Sequence, residues 1–428
     1  MPLQNRREFL GTMGAGLTVG LAYNQFAIAQ SPGERIRLAV LGCGGQGANH
    51  ARTFAEQAGC EVVAVCDVDP GRRDALRSRL PNSDNVVAEE DFRRILDDAS
   101  IDAVSIASPD HWHTPMALAA LQAGKHVYVE KPCSHTIHEA QVLARAADDS
   151  GLCVQHGTQA RSGEAVQEAI AFLHDGGLGK VRMAKAINHQ LRRPIGRAPE
   201  SEPPEGVNYD LWIGPAPEYP FTTNRWHYNW HWFWDYGSGD IGNDGIHHID
   251  LARWGLGVDM PHAVVASGAQ LFYDDDHETP DTQTVVYEYE DCHLLYEMRL
   301  WTDYHLEGHD NAAIFYGDEG RLEIGRPGPM LTTIDGETRH FGPYGSVGDN
   351  VQNFLNCVRE GRPDRLNAPM REAAISTALC YLGNIGTRLE QRLTVNPETW
   401  ESVDAPEANA MYNKVYRENY ALPEGDWS

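Results

Sequence analysis

Short apolar runs alternate with amphipathic segments along the first third of the chain, beginning shortly after residue 34. Apolar runs predict strands, the segments between them predict helices, and a regular alternation of the two predicts a parallel sheet covered by helices. The predicted strands occupy residues 36–41, 61–66, a short stretch near 86, 101–107, 125–129 and 152–156. We therefore predict an N-terminal, doubly wound α/β domain over residues 34–156.

The pattern changes after residue 157. A long β-type run at residues 181–189 is followed by residues 192–219, which are rich in Pro, Gly and charge and predict an extended loop. Alternating runs at residues 263–272, 282–290, 293–301, 312–316 and 321–324 predict one open, largely antiparallel sheet. These features predict an α+β substrate-binding domain over residues 157–345, C-terminal helices over 346–395 and a C-terminal tail over 396–428.

The first predicted strand ends at the glycine-rich sequence GCGGQG, which a helix, a second strand and Asp67 follow. In that order Gly42 forms a tight turn, Gly44 lets a pyrophosphate approach the main chain and Gly47 lets the helix pack closely. Asp67 then lies where a carboxylate accepts hydrogen bonds from an adenosine ribose. The stretch predicts a dinucleotide site.

The acid at Asp67 favours NAD over NADP, because a carboxylate repels a 2′-phosphate. Arg72 and Arg73 lie just beyond it and keep NADP open as the alternative.

Residues 1–33 predict a twin-arginine signal peptide and linker. Arg6 and Arg7 precede an apolar run at residues 11–22, which is too short to span a bilayer, and the small residues AIA at 27–29 offer a cleavage site. We expect export to the periplasm in folded form. Since no NAD pool exists there, an exported enzyme of this kind should carry its dinucleotide tightly bound and recycle it in place.

The net charge of −26 argues against nucleic acid, and against an anionic membrane once the signal has been removed. The eight cysteines form no CxxC or repeating spacing, so the sequence predicts neither a zinc site nor a disulfide framework. A metal held by His227, His231, His247 and Asp250 would require ligand spacings that this stretch lacks, and we predict no metal.

Two side chains are candidates for proton transfer. Lys131 follows a predicted strand and precedes a proline, which places it in the ligand crevice of the parallel sheet. His247 lies in the first turn of a helix that we expect to begin near residue 244, and an imidazole is the usual base for a hydroxyl proton. Asp250, three residues later, is expected to orient His247.

The run RWHYNWHWFWDY, residues 225–236, interleaves aromatic rings with polar side chains. Such a surface is typical of carbohydrate binding, where rings cover sugar C–H faces and polar groups take hydroxyls. Aromatic rings also fill cores, and we expect about half of these rings to serve packing alone.

Three stretches together resemble the Gfo/Idh/MocA family of NAD(P)-dependent oxidoreductases: GCGGQG with the following CDVD, SPDHWHTPMALAALQAGKHVYVEKP, and GDIGNDGIHHIDLARWGL. The resemblance covers essentially the chain after the signal. It implies a Rossmann domain, a C-terminal domain whose open sheet forms a homo-oligomer contact, and substrates that are sugars, glycosides or cyclitols.

The resemblance also implies site residues. Lys131 and His247 become catalytic, and Asn243 stands where many members have an aspartate, so that Asp240 or Asp244 is expected to supply the acid. The predicted cofactor residues are Gly42, Gly44, Gly45, Gln46, Gly47, Asp67, Ser108, Pro109, His113, Glu130 and Lys131. The predicted substrate residues are Arg161, Trp226, His227, Tyr228, His231 and His248.

The leading functional prediction is an exported oxidoreductase with tightly bound NAD that oxidises a secondary hydroxyl, at C3, of a sugar or glycoside. Similar exported enzymes are the glucose-fructose-type oxidoreductases, which recycle the cofactor with a second sugar. The alternative is a redox-neutral NAD-dependent glycosidase, in which oxidation at C3 acidifies the C2 proton, the aglycone is eliminated and reduction restores NAD. That reaction requires a further base, for which Tyr228 or His231 is expected. A third reading is a sugar-binding protein that keeps a relic nucleotide site.

Overall fold

The computed structural model describes residues 35–423, and the predicted signal at residues 1–33 lies outside them. Two sheets organise the described chain, one of six strands and one of nine. The first is entirely parallel and the second is mixed and largely antiparallel, which confirms the predicted fold class.

The six-stranded sheet belongs to a Rossmann domain. Its strands are β1 Ile36–Leu41, β2 Cys60–Cys66, β3 Val87–Glu89, β4 Ala103–Ile106, β5 His126–Val129 and β6 Val154–His156. Its helices are α1 Gly45–Ala55, α2 Pro70–Arg77, α3 Phe92–Leu96, α4 Asp110–Gln122 and α5 Ile137–Ser150. The spatial order β3-β2-β1-β4-β5-β6 reverses direction between β1 and β4, and a ligand crevice opens at the carboxyl ends of strands at such a point.

The nine-stranded sheet carries the second domain. Its strands are β7 Met183–His189, β8 Ala263–Ala269, β9 Thr282–Glu288, β10 His293–Arg299, β11 Asn311–Gly317, β12 Gly320–Gly325, β13 Gly328–Thr333, β14 Thr338–His340 and β15 Leu393–Thr394. Their order is β14-β13-β12-β11-β7-β10-β9-β8-β15, and β7 pairs with β10 in parallel. Buried and more exposed side chains alternate along β9, where Gln283, Val285 and Tyr287 are buried, so one face of the sheet packs against the core.

The remaining helices are α6 Glu164–His174, α7 Tyr209–Ile213, α8 Ile246–Leu256, α9 Val347–Glu360, α10 Met370–Leu389 and α11 Pro406–Ala410. Helices α6, α8 and α10 cover the inner face of the second sheet. Helix α10 also packs on α5, and α9 packs on α1, so the C-terminal helices join the two domains.

Several predicted boundaries differ from the structure. Strand β4 occupies Ala103–Ile106 rather than the predicted residues 101–107, and α4 follows at Asp110, because the extended Pro109 ends the loop between them. Strands β13 and β14 were not predicted, since glycines and polar residues interrupt their short apolar pattern. The predicted loop at residues 192–219 contains the short helix α7, whose first turn Asn208 caps through a hydrogen bond to Leu211.

Residues 190–236, here called the strap, leave β7, cross to the Rossmann domain and return before α8. The described part of the C-terminal tail also packs on the Rossmann domain rather than extending away, through Tyr420 and Leu422. Between residues 35 and 423, no helix combines the length and the apolar character that crossing a membrane requires.

Candidate active site

A cleft of about 510 Å³ lies at the carboxyl ends of the parallel strands, between the Rossmann domain and the second domain. It brings together seventeen of the predicted site residues: Gly42, Gly44, Gly45, Gln46, Asp67, Ser108, Pro109, His113, Glu130, Lys131, Trp226, His227, Tyr228, His231, Asn243, Asp244 and His247. Five predicted residues do not line it: Gly47, Arg161, Asp240, His248 and Asp250.

The glycine turn has the geometry of a phosphate cradle. Gly42 has a φ of +91°, and a Cβ there would lie 2.6 Å from the carbonyl oxygen of Ala107. A Cβ on Gly47 would lie 1.7 Å from the carbonyl oxygen of Gly42, so α1 packs directly on the turn. Within residues 35–423, a Cβ on Gly45 would meet no atom within 4 Å, and no side chain caps the first turn of α1. Its N–H groups are therefore open to an anion.

Asp67 lies at the end of β2 beside this turn. Its Oδ2 accepts a 2.7 Å hydrogen bond from the main-chain nitrogen of Cys43, and its Oδ1 accepts one of 2.9 Å from that of Asp69. Burial raises the pKa of Asp67, while the two N–H donors favour its ionised form. Each oxygen keeps a further lone pair, so the carboxylate fits the hydroxyls of an adenosine ribose.

Glu130 anchors the inner end of the cleft. Its Oε1 lies 2.9 Å from both Nε2 of Gln46 and Nε2 of His50, and Nδ1 of His50 lies 2.8 Å from the hydroxyl of Ser105. Burial alone would raise the pKa of Glu130, but these contacts and the charge of Lys131 hold it well below its ordinary value. The charged carboxylate thus ties α1 to the end of β5.

Ser108 and His113 stand beside this anchor. The ring of His113 lies between two carbonyls, with Nδ1 at 2.6 Å from Pro132 and Nε2 at 2.8 Å from Ser108. The hydroxyl of Ser108 is buried and has no hydrogen-bond partner among residues 35–423. Because native proteins satisfy most buried hydroxyls, this one fits a polar group of a bound cofactor.

Lys131 is fixed by the segment that precedes α8. Residues Ile241–Gly245 form a π-helical turn, a widened turn that is frequent at functional sites. Nζ of Lys131 donates hydrogen bonds to the main-chain oxygen of Asn243, at 2.5 Å, and to its Oδ1, at 3.3 Å. Nδ2 of Asn243 donates to Oδ1 of Asp240, at 2.8 Å, and to the hydroxyl of Tyr228, at 3.2 Å.

Arg192 is a cleft residue that the sequence interpretation missed. It lies in the strap, and its Nη2 donates to Oδ1 of Asp240, at 3.0 Å, and to Oδ2 of Asp244, at 2.6 Å. Burial would raise the pKa of Asp244, but Arg192, His247 and Lys131 hold it below its ordinary value. For Asp240 burial prevails and raises the pKa. Arginines stand at positions 192, 193 and 197 of this proline-rich loop, and no sequence signal distinguished Arg192 from the other two.

His247 lines the cleft from the first turn of α8. Burial lowers its pKa, and the charge of Lys131 lowers it further. Nδ1 of His247 is buried without a hydrogen-bond partner in the described chain. The ring is therefore neutral near pH 7, the form that accepts a proton.

The predicted role of Asp250 as the partner of His247 is wrong. Both Asp250 oxygens accept hydrogen bonds from Arg161, at 2.7 and 2.9 Å, and Oδ1 also accepts one from Ser376. A spacing of three residues predicted that Asp250 and His247 share one face of the helix, but the side chain of Asp250 faces α10. The same pairing buries Arg161, whose guanidinium also reaches Glu372 and does not line the cleft.

The aromatic run divides between core and cleft. Trp232, Phe233 and Tyr236 are buried in the core, whereas Tyr228, Trp230 and His231 line the cleft. The ring of His231 stacks on Trp230 with centroids 3.6 Å apart, and its Nδ1 contacts the carbonyl of Tyr228.

Of two further predicted substrate residues, one lies on the adenosine side of the cleft and the other lies outside the cleft. Nε2 of His227 is 3.6 Å from Oδ2 of Asp69, so this ring stands on the adenosine side of the cleft. His248 is buried behind the cleft, because its neighbour His247 takes the face of α8 that points into it.

Two family models match the chain. "Oxidoreductase family, NAD-binding Rossmann fold" covers residues 36–158, and "Oxidoreductase family, C-terminal alpha/beta domain" covers residues 195–422. Inositol 2-dehydrogenase 1 of Saccharopolyspora erythraea is 34% identical over 232 residues, which are 54% of this chain and 57% of that protein. A glycosyl hydrolase family 109 protein of the same organism is 29% identical over 177 residues, 40% of this chain and 38% of that one. Both similarities span less than two thirds of the relative.

Among solved structures, the WlbA dehydrogenase from Bordetella pertussis in complex with NADH and UDP-GlcNAcA matches with a TM-score of 0.64. It is 21% identical, and the match covers 85% of this chain and 99% of that one. At this identity the likeness shows the shared fold.

Proposed function

Because the chain belongs to the Gfo/Idh/MocA family of NAD-dependent oxidoreductases, we propose that it is an exported enzyme that retains NAD and oxidises a secondary hydroxyl, at C3, of a sugar or glycoside. The observation that carries the proposal is the position of Lys131 and His247. Both line the cleft that also contains the glycine turn and Asp67, so a proton acceptor and a dinucleotide site share one cavity.

The residues of the first domain hold the cofactor. The N–H groups of α1 bind its pyrophosphate, Asp67 binds the adenosine ribose, and Ser108 takes a polar group on the nicotinamide side. When bound, NAD⁺ supplies the hydride acceptor. Gln46 and His50 keep Glu130 ionised next to Lys131, which holds the end of β5 in a fixed position.

Lys131 and His247 handle the hydroxyl proton. Lys131 donates two hydrogen bonds to Asn243. The third N–H of the Lys131 ammonium is thereby directed at the substrate oxygen, where it stabilises the negative charge that develops. The neutral ring of His247 takes the proton as the C–H hydride departs, so that alcohol becomes ketone. Asp244, beside His247, stabilises the imidazolium that results.

The cleft wall favours a sugar. Tyr228 and Trp230 present ring surface, and Arg192, Asn243 and Asp244 present groups that exchange hydrogen bonds with hydroxyls. Sugar-related names among the relatives and the solved structures agree with this class.

One assay tests the reaction. The purified mature protein is given 4-nitrophenyl glycosides of both anomers without added NAD, and phenol release and absorbance at the NADH wavelength are followed together. The proposal expects stoichiometric reduction of bound cofactor that turns over when a second sugar carbonyl is supplied. A protein that yields no dinucleotide on denaturation and gives neither signal would contradict it and favour a sugar-binding protein with a relic site.

The redox-neutral glycosidase is the second candidate, and it expects continuous phenol release without lasting reduction. It requires a further base for the C2 proton, and the geometry favours His231 over Tyr228. Burial raises the pKa of Tyr228, so its hydroxyl stays protonated and suits a proton donor. His231 is neutral, because burial lowers its pKa to about 3. The carbonyl oxygen of Tyr228 accepts a hydrogen bond from Nδ1–H of His231, which leaves the unprotonated Nε2 as a proton acceptor.

Export rests on the amino-terminal sequence. The arginine pair, the apolar run and the AIA box occur in the order that the twin-arginine route requires. A variant with Arg6 and Arg7 both changed to Lys is expected to stay inside the cell with its NAD bound. Unchanged appearance of that variant in the periplasm would contradict export by this route.

Self-association through the outer face of the second sheet completes the proposal. That face is not covered by α6, α8 or α10, and β8 leaves Val265 40% exposed on it. Light scattering on the purified protein is expected to give a multiple of the chain mass, and Val265→Glu is expected to reduce it. A monomer at micromolar concentration would contradict this.

A further inference from the structure

The strap crosses the cofactor cleft on its adenosine side. The main-chain nitrogen of Asn208 donates to the carbonyl oxygen of Val68, at 3.3 Å, and its Nδ2 donates to Oε1 of Glu90, at 2.7 Å. Further along the strap, His227 reaches Asp69. Two residues of the strap, Asn208 and His227, therefore contact the turn that follows Asp67.

Helix α7 of the strap forms part of the cleft wall. Leu211 and Trp212 line the cleft together with Phe92, Trp112 and Met116 of the Rossmann domain. The carbonyl oxygen of Trp212 accepts a 3.0 Å hydrogen bond from Nε1 of Trp112. This apolar wall next to Asp67 and Glu90 suits the flat face of an adenine ring.

A helix of five residues is too short to be stable alone, and the C-terminal tail holds this one in place. Nη1 of Arg417 donates to the carbonyl oxygens of Asp210 and Gly214, at 3.3 and 3.2 Å, and its Nη2 donates to the Asp210 carboxylate. The hydroxyl of Tyr420 donates to Oδ2 of Asp210, at 2.8 Å. Arg417 therefore binds the carbonyl of Gly214, directly after α7, while it pairs with the side chain of Asp210 in the first turn of α7.

The tail is itself fastened to the Rossmann domain. The ring of Tyr420 packs edge-on against Trp112, with centroids 5.7 Å apart. Upstream, Nζ of Lys414 and the hydroxyl of Tyr416 lie 2.7 and 2.8 Å from Oε1 of the buried Glu139 on α5. The tail is thus held on both sides of Arg417.

We propose that the C-terminal tail is a brace: Arg417 and Tyr420 grip Asp210 so that α7 stays closed over the adenosine half of the cleft and bound NAD leaves slowly. The inference rests on the proposed retention of NAD and deepens it by naming the residues responsible. An enzyme without an external NAD supply needs such retention, because each cofactor lost ends its turnover.

The test follows NAD dissociation from the intact mature holoprotein. The double variant Arg417→Gln, Tyr420→Phe removes the hydrogen bonds to Asp210 while keeping side chains of similar size. The holoprotein is diluted rapidly into a solution of an enzyme that consumes free NAD, and the NAD that remains bound is measured over time. Since the four hydrogen bonds that Arg417 and Tyr420 donate to Asp210 and Gly214 are lost or weakened at an exposed site, release is expected to be on the order of 10-fold faster. Amide hydrogen exchange at residues 208–214 is expected to speed up in parallel.

Two further variants sharpen the result. Asp210→Asn removes the charge that Arg417 and Tyr420 bind, so this variant is also expected to release NAD faster. Adding it to the double variant is expected to have little further effect, because the same contacts are already lost. Arg362→Gln breaks an ion pair to Asp364 on an exposed turn and is the matched control. It is expected to release NAD at the wild-type rate.

The outcomes separate this inference from the proposed function. If the wild type holds NAD and both grip variants release it at the same rate, the brace is wrong and the proposed function stands. If exchange at residues 208–214 rises without faster release, α7 does not retain NAD and the brace is again wrong. If the wild-type protein neither contains nor binds NAD, the proposed function itself has failed.

Discussion

Nδ2 of Asn243 lies 2.8 Å from Oδ1 of Asp240, and this contact shows why an amide stands at position 243. The amide donates to the Asp240 carboxylate and to Tyr228, while its oxygen accepts from Lys131. An aspartate there would supply no donor at neutral pH and would place a second carboxylate against Asp240. The two acids that the sequence offered near this position are Asp240, three residues before the amide, and Asp244, the residue after it, and Arg192 binds both.

Asn243→Asp is therefore expected to lower the rate of hydride transfer by about 10- to 100-fold at neutral pH, because facing carboxylates repel and displace Lys131. The rate is expected to recover as the pH falls, since a proton shared by the two acids restores the missing donor. Single-turnover reduction of bound NAD, measured across pH with a reactive glycoside, checks this.

Asn243→Ala is the control for the charge. It removes the same hydrogen bonds without adding a carboxylate, so its rate is expected to be low without recovery in acid. Equal pH profiles for the two variants would show that Asp240 does not sense position 243.

Lys131 and Asp244 are expected to move the pKa of His247 in opposite directions. Burial lowers this pKa most, the charge of Lys131 lowers it further and Asp244 raises it. Lys131→Met should therefore raise the pKa of His247, and Asp244→Asn should lower it. NMR titration of the His247 ring, assigned with a His247→Asn variant, measures both.

The same shifts set the pH dependence of the reaction. The neutral ring is the active base, so hydride transfer is lost as the pH falls through the lowered pKa of His247, and its acid limb lies below the ordinary histidine value. Lys180→Met, at an exposed lysine, is expected to leave the titration unchanged. A His247 pKa that is the same in Lys131→Met and the wild type would contradict their proximity.

Most strands and helices of the first domain could be predicted from the sequence, because each of them has a recognisable local sequence pattern. Apolar runs alternate with amphipathic segments, and Gly42, Asp67 and Lys131 each follow a strand whose carboxyl end must lie at the crevice. The cleft was predictable for the same reason: parallel strands bring their carboxyl ends together however long the intervening segments are.

The second half of the site depends on contacts that no local pattern encodes. Arg192 reaches Asp240 and Asp244 across about 50 positions of the chain, and Arg417 reaches Asp210 across 207. Asp250 has the helical spacing of a partner for His247, yet Arg161 from another element binds it more closely. The π-helical turn at Ile241–Gly245 also changes which side chains face the cleft, and helical periodicity does not predict it.

Substitution of two neighbouring glycines separates folding from cofactor binding. Gly47→Ala would place its Cβ 1.7 Å from the carbonyl oxygen of Gly42, so the turn must distort, and we expect a lower melting temperature and no bound NAD. The Cβ of Gly45→Ala would meet no atom of the described chain within 4 Å, and the substitution replaces a helical glycine, so the variant is expected to melt at or above the wild-type temperature.

The amount of NAD that each glycine variant releases on denaturation, measured by absorbance, shows whether the variant still binds the cofactor. Gly45 lines the cleft, so any loss of NAD from the stable Gly45→Ala protein reports direct contact with the ligand. If Gly47→Ala keeps both its stability and its NAD, the close packing of α1 on the turn is not required for binding.

The buried pair of Arg161 and Asp250 is expected to serve stability. Asp250→Ala leaves the Arg161 guanidinium buried without its main partner, and we expect the free energy of unfolding to fall by about 3–5 kcal/mol. Urea unfolding at pH 7 measures the change. Asp364→Ala, which breaks an exposed pair, is the control and is expected to leave unfolding unchanged.

The pH dependence of unfolding identifies the same pair. Burial opposes ionisation of Asp250, but Arg161 lowers its pKa from 3.8 to about 2. Its ionised form therefore stabilises the fold above about pH 4. That contribution is lost as the pH falls towards 2, so the difference between wild type and Asp250→Ala is expected to shrink in acid. If Arg161 bound substrate instead, Arg161→Ala would raise KM and leave unfolding unchanged, and that result would overturn the structural assignment.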